Sequence, residues 1–416
     1  MVRYTEPFLL SSRGSTRATA YGFSNKSITL DGRTHVVWLD AIAQVCGRTY
    51  DHSSGAWSET YRLFEGCDNH TSPALTVDRS GRLRITYGPH GFWGGWNQGR
   101  FKWAISAKPN CLDAWTGEED FGYSATYASM THTTHGLDAI VYRGGDSPAS
   151  LMFQRQREKG GWTSARELMR QDIKPQYTHL NATITCGRDG TLYVAGHFYS
   201  EDAGEGRSHG MAVLKSADLG ESWTDLHGEP VRVPALCSDR IAIPPAAADM
   251  YVEGIALDSE DALWALATYP GAGDRAILLS RWRANRWETA NLQGCLPPGW
   301  VAVDGVLTMD THDRVHLALA AVDFRRVDDP TPTGVWGHPS LEIFHLVSAP
   351  GRAGFECNMV SRPDPGLANW LPNISLAGLY SPVEQPVILY THGAPGEGCR
   401  PTTETEVYCV IIEEVA

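Results

Sequence analysis

The chain has 416 residues, too long for a typical single core and short for three domains, unless it is built from repeats that each pack only on their neighbours. Its 42% hydrophobic and 20% charged residues describe a globular chain. No run of about eighteen apolar residues exists to form a transmembrane helix, and the opening MVRYTEPFLLSSRG is too weakly apolar for a signal peptide. A formal charge of −13 with no basic block argues against nucleic acid or an anionic membrane as partner, so cations for an anionic ligand must be concentrated locally.

One pattern recurs along the chain: a small-residue or apolar strand, a turn of D-x-x-G type, and a second β-rich strand. Its copies are 27–40, 72–90, 128–145, 181–198, 252–269, 303–320 and 373–393. The turns follow one another at intervals of about fifty residues, with two longer intervals, and fifty residues is the length of a four-stranded propeller blade. Further short strands lie between copies, among them 211–219 and 276–282, and only RELMRQDI (166–173) reads as helical. Residues 216–223, SADLGESW, fit an Asp-box hairpin, a structural motif without chemistry of its own. The expectation is an all-β, seven-bladed β-propeller forming one catalytic domain over 1–416.

Nine cysteines include no CxxC pair, which removes zinc-ribbon and thioredoxin-like readings. Cys399 and Cys409 are the most tempting disulfide. N-x-S/T sequons begin at Asn25, Asn69, Asn181 and Asn373, two of them opening core strands, where a chance match is the better reading. The cysteine usage points to an extracellular protein.

Antiparallel pairing sends the residues before a blade's first strand and after its second to the same sheet edge. Blade two offers Asp68, Asn69 and His70 before and His90 after. Blade three offers Tyr127 before and Arg143 after, although Arg143 has a surface alternative in Asp146. Blade four offers His179, Asn181 and His197. One histidine alone is usually structural, but His70 and His90 are delivered to one edge by one hairpin. Beyond His90, Trp93 and Trp96 stand among glycines, with Arg100 and Lys102 close by. Flat aromatic faces with nearby cations suit an anionic sugar. Trp103 reads as inter-blade core.

These residues resemble those of the propeller polysaccharide lyases, of the ulvan lyase and L-rhamnose-α-1,4-D-glucuronate lyase type, with degenerate neuraminidase-like (BNR/Asp-box) repeats. The resemblance rests on N-H-T-S-P-A-L-x-x-D-x-x-G-R-L (69–83), Y-G-P-H (87–90), T-Y (126–127) and Y-R-G-G (142–145). It implies cleavage of a rhamnosyl-glucuronate linkage by β-elimination. His70 is the base, Tyr127 the acid, and His90 and Arg143 neutralise the carboxylate, although the two histidines are open to exchange. Asn69, Trp93, Trp96, Arg100, Lys102, His179, Asn181 and His197 are the expected substrate-binding residues. The implied partner is an anionic plant or algal polysaccharide of gum or ulvan type, met by a monomer. No organic cofactor is required, and a structural divalent metal, calcium or zinc, is expected from the family. His392 and Cys399 are the only pair of ligands in the region, too few for a site. The alternatives are a sialidase-like or rhamnosidase-type glycoside hydrolase, which needs two carboxylates across the site, and a non-catalytic glycan-binding propeller. A base of ordinary histidine character predicts a loss of activity as pH falls through about 6–7.

Overall fold

The computed structural model describes residues 2–414 except 67, 91–98, 123, 145–149, 171–176, 202–206, 237–250, 270–274, 330–331, 351–353 and 397–403. Its strands form seven small antiparallel-built sheets in a ring, a seven-bladed β-propeller. The seven inner hairpins fall where the repeat puts them: Ser27–Leu30 with Arg33–Leu39, Ala74–Val77 with Arg82–Tyr87, Thr126–His132 with Asp138–Gly144 and Tyr177–Cys186 with Leu192–Glu201. Tyr251–Leu257 with Leu263–Tyr269, Trp300–Met309 with Val315–Asp323, and Ala368–Ile374 with Val387–Gly393 complete the set.

The turns between these strands show why the repeat carries an aspartate. The Asp78 carboxylate accepts the main-chain N–H groups of Ser80 and Arg82, at 2.9 and 3.0 Å. Asp258 does the same for Glu260 and Ala262, and Asp310 for His312 and Arg314. Each side chain replaces main-chain partners that the reversing chain leaves without one. In the Asp box, Asp218 accepts from the Ser222 N–H at 2.9 Å and from Ser216 Oγ at 2.8 Å. Gly220 takes φ +87°, and Trp223 packs edge-on against Phe153 with centroids 5.3 Å apart.

The described residues form no single central core. Apolar side chains collect in seven seams, one between each pair of neighbouring blades; Val36, Trp38, Val387 and Leu389 fill that between blades one and seven. A strand in the middle of a blade is covered on both faces, so Val315–Asp323 and Leu341–Ser348 are buried at every residue and are largely apolar, with His316, Glu342 and His345 buried polar exceptions within them. Outer strands are half-buried to exposed, as in Phe355–Met359. The ring is closed by the chain's N-terminal strands, Val2–Tyr4 and Phe8–Gly14, which pair with Thr405–Glu414 in blade seven.

Two expectations are corrected. Residues 166–170 are not helical but form a strand of blade three, paired with Ser150–Arg155; burial of Leu168 and Met169 in the blade three–four seam overrides a helix-favouring composition. Cys409 is a free thiol buried in the blade seven–one seam, in the middle of a strand, and not half of a disulfide; Cys399 lies outside the described residues. Asn25, Asn69 and Asn373 of the sequons are buried, and Asn373 donates to the carbonyls of Tyr21 and Ser24.

Those two carbonyls belong to a segment that the repeat gave no means to place. Between the last strand of blade seven and the first of blade one, residues 15–26 enter the middle of the ring. Thr19 Oγ1 donates to the Leu371 carbonyl, Ser24 Oγ to that of Ala128, and Ser72 Oγ to that of Ala20. A Cβ on Gly22 would meet the Gly305 carbonyl and Val306 Cβ at 3.0 Å, so only a residue without a side chain fits there comfortably. The loop thus touches innermost strands or their approaches in blades two, three, six and seven. It plugs the channel.

Candidate active site

At one edge of the ring the hairpin of blade two brings His70 and His90 together, with ring centroids 4.4 Å apart. The reason is Asp68. Its Oδ1 accepts the His70 N–H at 2.8 Å and its Oδ2 the His90 N–H at 3.0 Å, so one carboxylate ties both loop segments together. Burial pushes the Asp68 carboxyl above its usual range, while these N–H donors and Arg17 pull the other way.

Blade three contributes the other two residues. Its pairing runs Thr126 with Arg143 and then Ser129 with Val141, so a bulge lies between. Tyr127 sits in that bulge at φ +58°, a left-handed conformation rarely adopted by a bulky residue and one that redirects its side chain. Its ring centroid is 6.0 Å from that of His70 and 5.6 Å from that of His90. The Arg143 guanidinium carbon lies 4.7 Å from the Tyr127 ring centre, and its Nη2 donates to His90 Nε2 at 2.9 Å. A guanidinium only donates, so His90 Nε2 is the accepting nitrogen and the proton of the neutral ring belongs on Nδ1. His70 Nδ1 is buried and meets no partner among the described residues.

Electrostatics keep this pair neutral. Burial first, then the charges of Arg17 and Arg143, lower the His70 pKa strongly, with His90 adding to the effect. For His90, burial followed by Arg143 and Arg17 brings the pKa down to about 3. The expectation of an ordinary titration near pH 6–7 is therefore corrected: desolvation and two guanidiniums both oppose the imidazolium.

The other sequence candidates separate. Asn69 is buried and donates to Thr16 Oγ1 at 2.9 Å. Lys102 is ion-paired with Glu118 and Asp120, which turns its charge toward the outer strands of blade two. Arg100 is exposed just before Phe101–Pro109. His179 and Asn181 are not at the strand's approach: blade four's strands are longer, and both residues fall within Tyr177–Cys186, Asn181 opposite a fully buried His197. The side chains of His179 and Asn181, and all of Trp93, Trp96 and Asp146, lie outside the described residues. Trp103 is inter-blade core, its Nε1 donating to Asp138 Oδ2 at 2.7 Å.

Reading the sequence missed Arg17 and Tyr21 of the plug loop, and a pair of acids in blades five and six. Glu253 and Asp304 both follow the start of an inner strand and are hydrogen-bonded to each other. Thr268 Oγ1 also donates to Glu253, and the Gly305 N–H to Asp304 Oδ1 at 2.9 Å. Desolvation raises both carboxyls, Glu253 the more strongly and Asp304 to about 7. The signal was present, since V-E-G (252–254) and V-D-G (303–305) occupy the same place in successive repeats. Two acids in direct contact and enclosed lack the separation, about 5–9.5 Å, that a glycosidase needs to seat a sugar and water between them.

For the expected metal, no group of three or more His, Cys, Asp or Glu side chains among the described residues is arranged to hold an ion. His392 Nδ1 pairs with Asn369 Oδ1 at 3.0 Å and its Nε2 lies 3.7 Å from Asp364. These residues do not fit a metal centre, and no chemistry is derived through one.

The propeller defines a repeat-built protein, with a cluster of His70, His90, Tyr127 and Arg143 at one edge of its ring. Residues 33–294 match the model of the BNR repeat-containing family, and the chain belongs to that family. It is 22% identical over 175 residues to an ulvan lyase of Nonlabens ulvanivorans, which covers 38% of this chain and 37% of that one. It is also 22% identical over 265 residues to an ulvan lyase of Alteromonas sp. (strain LOR), covering 56% and 54%. The chain therefore spans about half, or less, of the length of these curated relatives. In fold it is similar to a solved PL25 ulvan lyase bound to GlcA(1-4)Rha3S, with TM-score 0.70 and 15% identity across 98% of this chain and 95% of that one.

Proposed function

We propose that the protein is a polysaccharide lyase that cleaves an L-rhamnosyl-α-1,4-D-glucuronate linkage by β-elimination. The observation that carries this reading is a buried, neutral histidine with an unpartnered ring nitrogen, beside a second histidine bound to a guanidinium. Elimination needs a base without a proton and a cation at the carboxylate where charge gathers.

In this mechanism His70 Nδ1 takes the proton from C5 of the uronate. The electron pair of that C–H bond forms the C4–C5 double bond, and the C4–O4 bond breaks. Tyr127 gives its hydroxyl proton to the departing O4. Arg143 and the Nδ1–H of His90 hold the carboxylate while negative charge builds on it. The two histidines differ here: the accepting nitrogen of His90 is already occupied by Arg143, whereas His70 Nδ1 has no partner among the described residues. No step requires a redox cofactor. Arg100 and Trp96 flank this edge in sequence and complete the sugar-binding reading.

Two ulvan lyases among the relatives support the substrate class, an anionic algal or plant polysaccharide. Such polymers are met outside the cell, so the reading includes an extracellular enzyme acting as a monomer. No helix of the described residues is long and apolar enough to cross a membrane. The test is incubation with ulvan and with rhamnose-capped glucuronate gum, following ultraviolet absorbance of the unsaturated uronate. Wild type should generate it and His70→Ala should not, at unchanged thermal unfolding. Equal absorbance from both proteins would remove His70 from the mechanism.

A further inference from the structure

On the outer rim of the ring, where blade seven meets blade one, lies a cavity of about 400 Å³. Its walls come from the chain entering Phe8–Gly14, from the closing strand Thr405–Glu414, and from the outer hairpin of blade one, Gln44–Asp51 with Ala56–Trp57. That volume suits a small ligand.

Three aromatic rings line it. The register places Phe8 opposite Cys409 in blade seven and Trp57 opposite Tyr50 in blade one. Across the seam Phe8 and Trp57 stack, with ring centroids 5.2 Å apart and an interplanar angle of 15°, and Trp57 leans on Tyr50 at 5.1 Å. Even so, Phe8 stays 38% exposed, and Tyr50 and Trp57 are only half-buried.

Polar groups stand around these rings with bonding capacity to spare. Arg48 is held from two sides: its Nε donates to Thr60 Oγ1 at 2.9 Å, and its guanidinium carbon lies 5.9 Å from the Phe8 ring centre. It forms no ion pair among the described residues, which leaves its terminal nitrogens uncommitted. The Tyr50 hydroxyl, the Trp57 indole N–H and the Glu59 carboxylate likewise have no hydrogen-bond or ion-pair partner among the described residues. Glu6, also on the wall, is paired with Arg362 at 3.0 Å.

The lining selects a class of ligand. A purely apolar molecule would strip water from four polar groups and return no hydrogen bond. A sugar ring packs its C–H face on an aromatic and offers hydroxyls to donors and acceptors alike. Charge narrows the choice: the wall carries two carboxylates, Glu6 and Glu59, against one guanidinium, so it does not favour an anion.

We infer that this cavity binds one neutral pyranose unit of a glycan, stacked on Phe8 and Trp57 and hydrogen-bonded by Arg48, Tyr50 and Glu59. The site is separate from the histidine cluster, on outer strands of other blades, and it stands whether or not the protein is a lyase. Because its walls belong to two blades, the sugar bridges the seam where the N-terminal strands close the ring, and binding stabilises that closure.

The probes are methyl α-L-rhamnopyranoside and methyl α-D-glucopyranoside, with methyl α-D-glucuronide as the charged control. Binding is followed by saturation-transfer nuclear magnetic resonance and calorimetry at millimolar ligand, beside thermal unfolding with and without ligand. At least one neutral glycoside should bind wild type and raise its Tm. Trp57→Ala and Arg48→Met should each weaken that binding about tenfold and remove the rise in Tm. Tyr50→Phe, which deletes one hydroxyl, should weaken it about threefold. His70→Ala should bind the neutral glycoside as wild type does, and the glucuronide signal should be the same in wild type and Trp57→Ala. Arg48→Met and Tyr50→Phe keep the seam packed, so a poorly folded Trp57→Ala leaves the test intact.

Failure of both neutral glycosides to bind, or binding unchanged in Arg48→Met and Tyr50→Phe, would overturn the inference. So would a glucuronide that loses more affinity in Arg48→Met than the neutral sugars do, which would make the cavity an anion site. Concentration-dependent dimerisation that Phe8→Ser abolishes, seen by sedimentation, would make it a contact between copies and also overturn the inference.

Discussion

Replacing Asp304 by Asn should stabilise the propeller at neutral and alkaline pH, and the size of the effect follows from the acid pair between blades five and six. Desolvation holds the Asp304 carboxyl near 7 against an ordinary 3.8, with Glu253 raised still further and donating its proton to Asp304. A folded-state pKa above the unfolded one means that the unfolded chain loses its proton first. The Asp304 contribution to stability therefore falls as pH rises from about 4 to about 7 and is constant above that, while the Glu253 contribution is common to wild type and variant. Three pKa units at about 1.4 kcal/mol each amount to roughly 4 kcal/mol. In Asp304→Asn the side chain cannot ionise, and its amide oxygen still accepts the Glu253 proton. With an unfolding entropy of about 2.1 cal/mol/K per residue over the whole chain, this gap corresponds to about 4–5 °C. Differential scanning calorimetry of wild type and Asp304→Asn at pH 4 and pH 8 measures it. The Tm difference should move in favour of the variant by that amount between the two pH values. A difference independent of pH, or a variant that loses ground at pH 8, would refute the shared-proton account.

Arg143→Ala should lower kcat/KM by about 10²–10³, as removal of one oxyanion donor does, and Arg143→Lys should restore only part of it; ordinary activity in the alanine variant would return Arg143 to a structural role. The acid limb of kcat/KM should lie well below pH 6.5, because burial and the charges of Arg17 and Arg143 hold both histidines unprotonated; a limb centred near 6.5 would show the base to be solvated. Asp218→Ala should cost about 1 kcal/mol through loss of the Ser216 and Ser222 bonds while leaving kcat unchanged, measured by urea unfolding beside initial rates.

The fold was legible because each blade repeats the same local instruction, an apolar strand reversed by an aspartate that satisfies its own turn, as at Asp78, Asp258 and Asp310. His70 and His90 were legible for a related reason: a single hairpin delivers both to one edge, and Asp68 beside them fixes the spacing. Blade four shows the limit of this logic. Its longer strands carry His197 into the sheet, and strand length is set by packing against neighbours that no single repeat encodes. Residues 166–170 mislead for the same reason, since seam burial decides their conformation. Arg17 and Tyr21 belong to a stretch without periodicity, and their place in the channel depends on Leu371, Asn373 and Ala128, far away in sequence. The Glu253–Asp304 contact joins different blades, and only alignment of the repeats exposes it.

The central claim is elimination, and product mass in oxygen-18 water tests it directly. Cleavage of the rhamnosyl-glucuronate substrate should give a 4,5-unsaturated uronate with no water added and no label incorporated. A saturated uronate one water heavier, carrying the oxygen-18 label, would show hydrolysis and contradict the account.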